Sequence, residues 1–516
     1  MDNSCRGITV PHQTKGQTVK RSVWLPLLLG VGVVAGCQSV PQPKSPQVAL
    51  TPAFQNAPDA TAQPLDPQWW QQFGDARLTE LVVLAAQNNQ DIAIAALRLR
   101  QAQAGLSATQ AQRLPSVAAV GSLSKSQSDL PAAVKQGQPD TTARRAALNL
   151  NWDLDVFGAN RAARDAANFD AQAAELGVAG VQLWVVSDVV RQYILWQSTA
   201  ERLRLLTSLR DIQQQTLRLT ERRYQEGLAS QFELSLAQAE VSQLTAQLPM
   251  LSSLLQVTAN RLSILTGQNP SLMTVQLQAR PVDQWPQQLT VHAGQPVTLL
   301  QRRPDVQAAE RQLRAASATL AAAQADRFPR LMLSAVWGQQ KLTLNGLGLA
   351  ASPYSNAALA FSQPLLNRRA IHANIVAKTA AEQIALLNYE KAILTALEQV
   401  ENSLAAQHHE QQRLTQLQHT VQTRQQSRRH AESLYREGLT GLLPLLDVQR
   451  SVVAAELSSL ESHSQRWLNA VNLYQALGGG WQLPEPNLRD QPSTHPTLSQ
   501  PVAPQSSATR SVLGAP

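Results

Sequence analysis

Few residues of this 516-residue chain have a type and spacing that could do chemistry, and the first is a cysteine near the start. Cys37 follows a basic stretch with Lys15, Lys20 and Arg21 and then the apolar run VWLPLLLGVGVVAG. A basic stretch followed by a short apolar run and small residues is typical of a secretory signal. We therefore expect residues 1–36 to be a signal peptide that is absent from the folded protein.

The residues before Cys37 resemble the lipobox of bacterial lipoproteins, in which the signal is cut before the cysteine and the thiol is acylated. The resemblance implies N-acyl and S-diacylglycerol groups on Cys37, and several acyl chains at ~0.8 kcal/mol per buried methylene make a stable anchor. Because Gln38 follows in place of an Asp, the same resemblance implies transfer to the outer membrane. The alternative is an ordinary signal peptide with an incidental cysteine.

Charge and sulfur chemistry argue against several other classes of protein. Removal of residues 1–36 takes away four basic residues and one acidic residue, so the net charge falls from +8 to +5, which predicts no nucleic-acid surface. Cys5 leaves with the signal, so we expect no disulfide and no thiolate metal site. The three remaining methionines are not clustered, which argues against metal export.

No pattern of catalytic residues is recognisable, so the chain is expected to be neither an enzyme nor a cofactor-binding protein. The sequence LGGG at 477–480 ends a helical stretch instead of joining a strand to a helix, so it is not a phosphate loop. His408, His419 and His430 recur every eleven residues, about three helical turns, and therefore share one helix face. A solvated or inter-helix face is the simple interpretation, and a pH-sensitive opening element is the alternative.

The elements that must position these residues form an internal duplication. Asp91 is matched by Asp305, and YQEGL at Tyr224–Leu228 is matched by YREGL at Tyr435–Leu439. Each half predicts a helix, two strands and a long helical hairpin with coiled-coil-like packing. The predicted organisation is a lipidated Pro-rich segment at 37–67, a first repeat at 68–267, a linker at 268–302, a second repeat at 303–481 and a Pro-rich disordered tail at 482–516.

Proline placement and apolar spacing predict the hairpin helices. Proline is absent from 141–248 and from 365–443, which permits helices over about 160–226 and 368–437. Pro249 is expected to kink the next helix of the first half, and Gly227 and Gly438 to end a helix at each hairpin tip. That next helix has an unbroken heptad pattern, and its counterpart repeats every seven residues: Leu234, Ala237, Val241, Leu244, Leu248, Leu251, Leu255, Thr258, Leu262 and Leu265, then Leu446, Val453, Leu460, Trp467 and Tyr474.

Alternating apolar residues predict four strands, at Leu148–Val156, Leu331–Trp337 and Ala357–Phe361 and, more weakly, at Val117–Leu123. One apolar and one polar face fit either a half-buried soluble sheet or a membrane barrel with a wet lumen. Four strands cannot close a barrel, and an open edge cannot lie in hydrocarbon, so a membrane sheet requires several copies of the chain. Two copies give eight strands, too narrow for a conduit, so we expect three copies and twelve strands.

Motifs spread over residues 69–481 are similar to those of one known family. They are WWQQFGDARLTELVVLAAQNN, RRPDVQAAERQL, ADRFP, NWDLDVFG, LLPLLDVQRS and the terminal ALGGGW, and they occur in the family's order. The chain resembles the TolC-type outer-membrane factors, in the lipoprotein (NodT-type) branch that serves multidrug efflux pumps. The resemblance implies a trimeric outer-membrane β-barrel continued by an α-helical tunnel through the periplasm, where a periplasmic adaptor connects it to an inner-membrane pump.

Two sites follow from that resemblance. The hairpin tips match the family's adaptor-docking turns, although the glycines there also serve simply to end helices: Gly227, Leu228, Ala229 and Ser230, with Gly438, Leu439 and Thr440. In LLPLLDVQRS, Leu443, Asp447 and Arg450 match the family's periplasmic gate and share one helix face. Threefold symmetry would then stack a leucine ring that blocks by dewetting on a carboxylate ring that selects cations or bonds to Arg across subunits. Pro444 adjoins this gate, and Leu236 takes the place of Asp447 in the first repeat.

The expected function is a passive outer-membrane conduit for drugs or other small toxic compounds. One alternative is a coiled-coil surface lipoprotein without a pore, whose strands would form a soluble sheet. The other keeps the channel but makes metal ions or a protein its cargo.

Overall fold

The computed structural model describes residues 45–56, 66–127, 140–271, 277–281, 284–285, 291 and 294–479. The expected signal peptide, the lipidation site Cys37 and the tail at 482–516 lie outside the described residues. A 3-10 helix at Trp69–Phe73 precedes eight α-helices and five strands within them: α1 Ala76–Asn88, α2 Gln90–Ala111, β1 Ser116–Ser126, β2 Thr141–Asp153, α3 Ala159–Gln225, α4 Gln231–Leu265, α5 Pro296–Arg302, α6 Pro304–Ala325, β3 Arg330–Leu344, β4 Leu347–Gly348, β5 Ser352–Ser362, α7 Arg368–Arg436 and α8 Leu442–Ala476.

Two long helices, α3 with 67 residues and α7 with 69, form the frame of the molecule. At 1.5 Å per residue each is ~100 Å long. The second helix of each hairpin is about half as long, since α4 and α8 have 35 residues each. Every heptad position predicted in α4 is buried or partly buried, and so are the five in α8. The apolar seam therefore packs against the neighbouring helices, as the pattern predicts, and Pro249 lies inside α4.

The helices form a layer with two outer members. Packing contacts run in the order α4, α3, α8, α7 through the hairpins and in the order α2, α3, α6, α7 nearer the sheet. Most of the large apolar side chains exposed on helices belong to the outer members: Ile94, Leu97, Phe232, Met250, Leu254, Val257 and Ile264 on α2 and α4, with Val376, Ile384, Leu387, Leu394 and Leu434 on α7.

Short helices continue the shorter arm of each hairpin toward the sheet. The α4 helix ends at Leu265, where the side chain of Asn89 donates to the Leu265 carbonyl at 2.9 Å while capping the start of α2. In the second repeat, Arg303 precedes α6 and donates to the carbonyl of Ala476, the last residue of α8, at 2.9 Å. Each long helix is therefore matched by two shorter ones joined end to end.

The strands form one antiparallel sheet in the order β1, β2, β3, β5, with the two-residue β4 also paired to β3. Cross-strand partners such as Val117, Leu150 and Ala335 share a face, so the register divides the side chains into two sets. We call the apolar set the apolar sheet face: Val117, Ala119, Leu123, Leu148, Leu150, Leu331, Leu333, Trp337, Leu359 and Phe361 belong to it. The opposite face carries mainly small and polar side chains, including Asn149, Asn151 and Asn356.

All four predicted strands exist, but each is longer than predicted, and β2 also ends earlier than expected. The β2 strand begins at Thr141 and ends at Asp153, where Leu148–Val156 was expected. It ends early because Asp155 adopts φ 46° and its carboxylate accepts from the backbone amides of Asn160 and Arg161, at 2.9 and 2.8 Å, so it caps α3. The β3 strand runs seven residues beyond Trp337, and the backbone of this extension pairs with β2.

The main core lies where α4 and α8 end, and it is built on aromatic stacking. The Trp69 ring stacks on Tyr474 at 4.7 Å between centroids, and Trp285 stacks on Trp467 at 4.0 Å. Trp285 belongs to the segment predicted as a linker, so part of that segment packs into the core. The α3 helix is apolar enough over 18 residues to pass for a membrane span, but half of that window is buried, including core residues such as Val189.

A partly buried ion pair links the predicted linker to this core. Asp75 caps α1 and also accepts a hydrogen bond from the Tyr193 hydroxyl at 2.7 Å and from Arg280 Nη1 at 2.9 Å. Gln197 accepts from the Arg280 backbone amide at 2.8 Å. Burial alone would raise the pKa of Asp75, but the hydrogen bonds from Tyr193, Arg280 and the Leu78 amide outweigh it, and the pKa is lowered.

Candidate gate and docking tips

The two hairpin tips have one backbone geometry. In the first, Gly227 has φ 75°, its amide donates to the Tyr224 carbonyl at 3.0 Å, and the Leu228 amide donates to the Arg223 carbonyl at 2.7 Å. In the second, Gly438 also has φ 75°, with the matching bonds at 3.1 and 2.9 Å. This pair of bonds is a Schellman motif, which requires a left-handed residue and therefore favours glycine. The repeated YxEGL is thus a repeated helix end.

Beyond each glycine the tip presents a leucine to the surroundings. Leu228 is 65% exposed and Leu439 is 71% exposed. Ser230 then starts α4 with a capping box, because its hydroxyl accepts from the Glu233 amide and the Glu233 carboxylate accepts from the Ser230 amide. The second tip lacks this device, since Gly441 starts α8 without a side-chain cap. An exposed leucine on a rigid turn offers a small apolar knob for contact with a partner.

The tyrosines of the two tips have different surroundings. Tyr435 is buried, with its ring 4.9 Å from the guanidinium carbon of Arg223 and its hydroxyl 3.3 Å from that of Thr220. Tyr224, its equivalent, is 41% exposed. Residues of the first repeat therefore cover Tyr435 within the same chain, whereas its equivalent Tyr224 stays partly exposed.

The start of α8 has two distinct faces. Leu442, Leu445 and Leu446 are buried in a cluster with Ala237 and Tyr435. The predicted gate residues form the other face, because Leu443 is 54% exposed and Asp447 and Arg450 are exposed as well. Pro444 occupies the first turn of the helix, where its missing N–H leaves no helical bond unmade.

Arg450 is engaged within its own chain. Its Nε donates to Glu240 Oε2 at 3.0 Å and its Nη2 donates to the other oxygen of the same carboxylate, a bidentate pair between α8 and α4. The hydrogen bonds from Arg450 to Glu240 raise the pKa of the guanidinium further, and the nearby charge of Asp447 adds to this. Asp447 itself is exposed and forms no hydrogen bond or ion pair with another described residue.

Sequence reasoning missed Glu240 and a buried amide pair beside it. Gln213 Nε2 on α3 donates to Gln449 Oε1 on α8 at 2.9 Å, and both side chains are buried. A signal for Glu240 was available, because a lone acid lies on α4 between the apolar heptad residues Ala237 and Val241. The pairs Glu240–Arg450 and Gln213–Gln449 together join α3, α4 and α8 next to the candidate gate residues.

The first repeat carries a different surface at the equivalent positions. Phe232 stands where Leu443 stands in the second repeat, and it is 63% exposed. Leu236, at the position of Asp447, packs on the cluster around Tyr435. Both repeats therefore expose an apolar side chain in the first turn of the shorter helix, and the second repeat adds the acid Asp447.

The three histidines lie where their spacing predicts. His408, His419 and His430 are all exposed on α7, which fits the simple interpretation of a solvated or inter-helix face. Gln412 lies 3.1 Å from the His408 ring nitrogen. Within the described ranges, no three His, Cys, Asp or Glu side chains are close enough to hold a metal ion.

Comparison with known proteins matches this architecture. The outer membrane efflux protein family matches residues 81–268 and 296–479, which are the two halves of the duplication. The pyoverdine export outer membrane protein OpmQ of Pseudomonas putida is 32% identical over 87% of this chain and 96% of its own. The toluene efflux pump outer membrane protein TtgC, from another strain of Pseudomonas putida, is 29% identical over 89% of this chain and 95% of its own.

A solved structure agrees. The outer-membrane channel OprN superimposes with a TM-score of 0.80 at 28% identity, covering 87% of this chain and all of the OprN chain. The sheet with one apolar face and the helical hairpins are thus those of an outer-membrane channel. The chain belongs to the outer membrane efflux protein family, as a channel component of efflux systems in the outer membrane.

Proposed function

We propose that three copies of the chain form one passive exit duct, a twelve-stranded outer-membrane barrel continued by a helical tunnel in the periplasm. The observation that carries this proposal is the open sheet, since β1 and β5 each pair with a described strand on one side only. Unpaired backbone groups in hydrocarbon cost several kcal/mol each, so the edges must meet those of other copies. Four long strands in each of three copies then make a barrel wide enough to conduct.

The helical layer supports the same assembly. Its outer helices, α4 with α2 on one side and α7 on the other, carry the stripes of exposed apolar side chains described above. Contact of α7 with α4 and α2 of the next copy would cover both stripes. It would also cover Tyr224, because Ala431 and Leu434 of the next copy stand where Thr220 and Arg223 stand beside Tyr435.

The candidate sites then take their roles from this assembly. The tips at 227–230 and 438–440 dock a periplasmic adaptor, which joins the duct to an inner-membrane pump that supplies the energy. Leu443 and Asp447 form the constriction at the tunnel mouth, and Arg450 holds the gate helix to α4 through Glu240. Cys37 carries the acyl chains that anchor each copy to the outer membrane, and no catalytic step is involved.

The cargo is a class of small organic molecules, drugs or other toxic compounds. Relatives named for toluene efflux and pyoverdine export support this interpretation. The cargoes in these names differ although the proteins are similar in sequence, which fits a wide duct with little selectivity for its cargo.

Paired cysteines at the tips test the trimer. In the Tyr224→Cys, Ala431→Cys variant the pair lies across the proposed boundary between copies, so a short bismaleimide crosslinker should give covalent dimers and trimers on a denaturing gel. The Thr220→Cys, Tyr435→Cys variant is the matched control, because it repeats the contact inside one chain and should crosslink without a gain in mass. If both variants gave only bands of monomer mass, the result would contradict the assembly.

The native mass of the detergent-extracted protein is the companion measurement. A trimer recovered from the outer-membrane fraction agrees with the duct, and its conductance in planar bilayers then gives the baseline for gate variants. An intact monomer that needs no detergent would overturn the proposal and leave a coiled-coil surface lipoprotein.

A further inference from the structure

Three cations lie together on the apolar sheet face, near the end of the sheet farthest from the helices. Arg144 on β2 is directly opposite Lys341 on β3, and Lys125 on β1 lies two residues beyond Leu123, the β1 partner of Arg144. All three are exposed. Cross-strand partners share a face, so the cations and the apolar belt below them are on the same side of the sheet.

None of the three cations is paired within the described part of the chain. Lys125, Arg144 and Lys341 form no ion pair or hydrogen bond with another described residue. Like charges directly opposite each other destabilise an antiparallel pair, which makes Arg144 beside Lys341 an unfavourable choice for the sheet alone. An anion bound between them would remove that repulsion.

The height of the cluster fits the surface of a bilayer. Leu331, near the helical end of β3, and Lys341 are ten residues apart on one face. Ten residues at ~3.4 Å are ~34 Å along the strand, and a tilt of about 40° reduces this to a height of ~26 Å. The outward apolar band of a membrane barrel is about 25 Å tall, so the cations lie at headgroup level on the side away from the periplasmic helices.

A groove lies directly below the cations. In the row beneath them Gly121, Ala146 and Pro353 stand beside Gln339, while Leu148 and Trp337 stand in the next row down. These residues line a depression of about 520 Å³. An acyl chain could lie in this groove while its headgroup reaches the cations.

We propose that Lys125, Arg144 and Lys341 bind the phosphate groups of a phosphorylated lipid in the outer leaflet, whose acyl chains cover the groove below. The assignment depends on the outer-membrane orientation of the sheet but not on the gate or the cargo. Guanidinium and ammonium groups suit phosphate oxygens, and anionic headgroups attract cations placed at this level. Three copies of the chain give three such sites around the barrel.

Lipid affinity of the full detergent-purified channel tests the proposal, with diphosphoryl lipid A and the same lipid without phosphates as probes. The wild type should bind the phosphorylated form more tightly, and each cation removed should weaken it about fivefold. Arg144→Gln with Lys341→Gln should therefore weaken it about 25-fold. Arg145→Gln is the matched control, since Arg145 is the neighbour on the opposite face and should change the affinity less than twofold.

The alternatives give distinct results. Equal affinity for both lipids, or equal loss from Arg145→Gln, would overturn the site. The charge-conserving variant Arg144→Lys, Lys341→Arg should keep the wild-type affinity, and a loss like that of the glutamine variant would also overturn it. Conductance of the same variants separates this proposal from the duct, because a failed lipid site leaves conductance intact.

Discussion

The side chain of Asn89 joins two helices that are 176 residues apart in sequence, since its Nδ2 donates to the carbonyl of Leu265 at 2.9 Å. Its Oδ1 meanwhile accepts from the amides of Asp91 and Ile92, at 2.9 and 3.1 Å. One amide therefore closes the end of α4 and the start of α2. Arg303 repeats the first half of this arrangement with Ala476.

The glycine beside this joint should be more sensitive than the glycine at the tip. A Cβ on Gly267 would lie 2.6 Å from the Asn88 carbonyl oxygen, whereas a Cβ on Gly227 has nothing within 4 Å. Both residues have positive φ, so alanine at either site costs about 1–2 kcal/mol of backbone strain. We expect Gly267→Ala to lower the thermal midpoint clearly more than Gly227→Ala, as followed by circular dichroism. Equal shifts of the thermal midpoint in both variants would show that the contact between Gly267 and Asn88 can widen without a cost in stability.

The pair of Glu240 and Arg450 should hold the gate helix in place. Glu240→Gln removes the charge that binds Arg450 to α4, so we expect higher resting conductance in planar bilayers. The exchange Glu240→Arg with Arg450→Glu should restore much of the closed state, because it rebuilds the pair in reverse. Arg428→Gln is a control, since it breaks a pair with Glu432 inside a single helix. Unchanged conductance in Glu240→Gln would remove the pair from gating.

The exposed face of α8 should itself restrict the tunnel mouth. Leu443→Ala removes an apolar side chain and Asp447→Ala a carboxylate, so each should raise the resting conductance, and Asp447→Ala should also reduce any preference for cations. Leu236→Ala supplies the comparison, because the equivalent position in the first repeat packs inward. Wild-type conductance in both gate variants would place the constriction elsewhere.

Asp75 should make stability depend on acid. Its pKa lies below the usual value of 3.8, so its contribution is fully present above that pH and is lost as the pH falls through the lowered pKa. Asp75→Asn removes the charge-assisted bonds from Arg280 and Tyr193 and should cost about 1–3 kcal/mol at neutral pH. The difference between variant and wild type should shrink below pH 3.8 in urea titrations. A constant difference would mean that the effect comes from packing.

The sequence predicts the long elements well and the joints between them poorly. The heptad from Leu234 to Leu265 and the turn at Gly227 are repeated local patterns, so they are visible without a structure. Asn89 and Glu240 act through partners far away in sequence, and nothing local marks those partners. The outer end of β2 was missed because Arg144 and its neighbours do not alternate, while pairing with β3 fixes them through the backbone.

In the proposed trimer β1 and β5 each pair with a strand from another copy, so insertion and assembly are one event. The rate of barrel assembly would then rise steeply with the number of copies per area of membrane. At low density, the chains would remain as subunits with unpaired strand edges. Tethering each copy to a surface by its N-terminal end restricts the search to two dimensions and raises the local concentration. An anchor of this kind would act first as a kinetic aid to barrel closure, before it holds a finished channel in place.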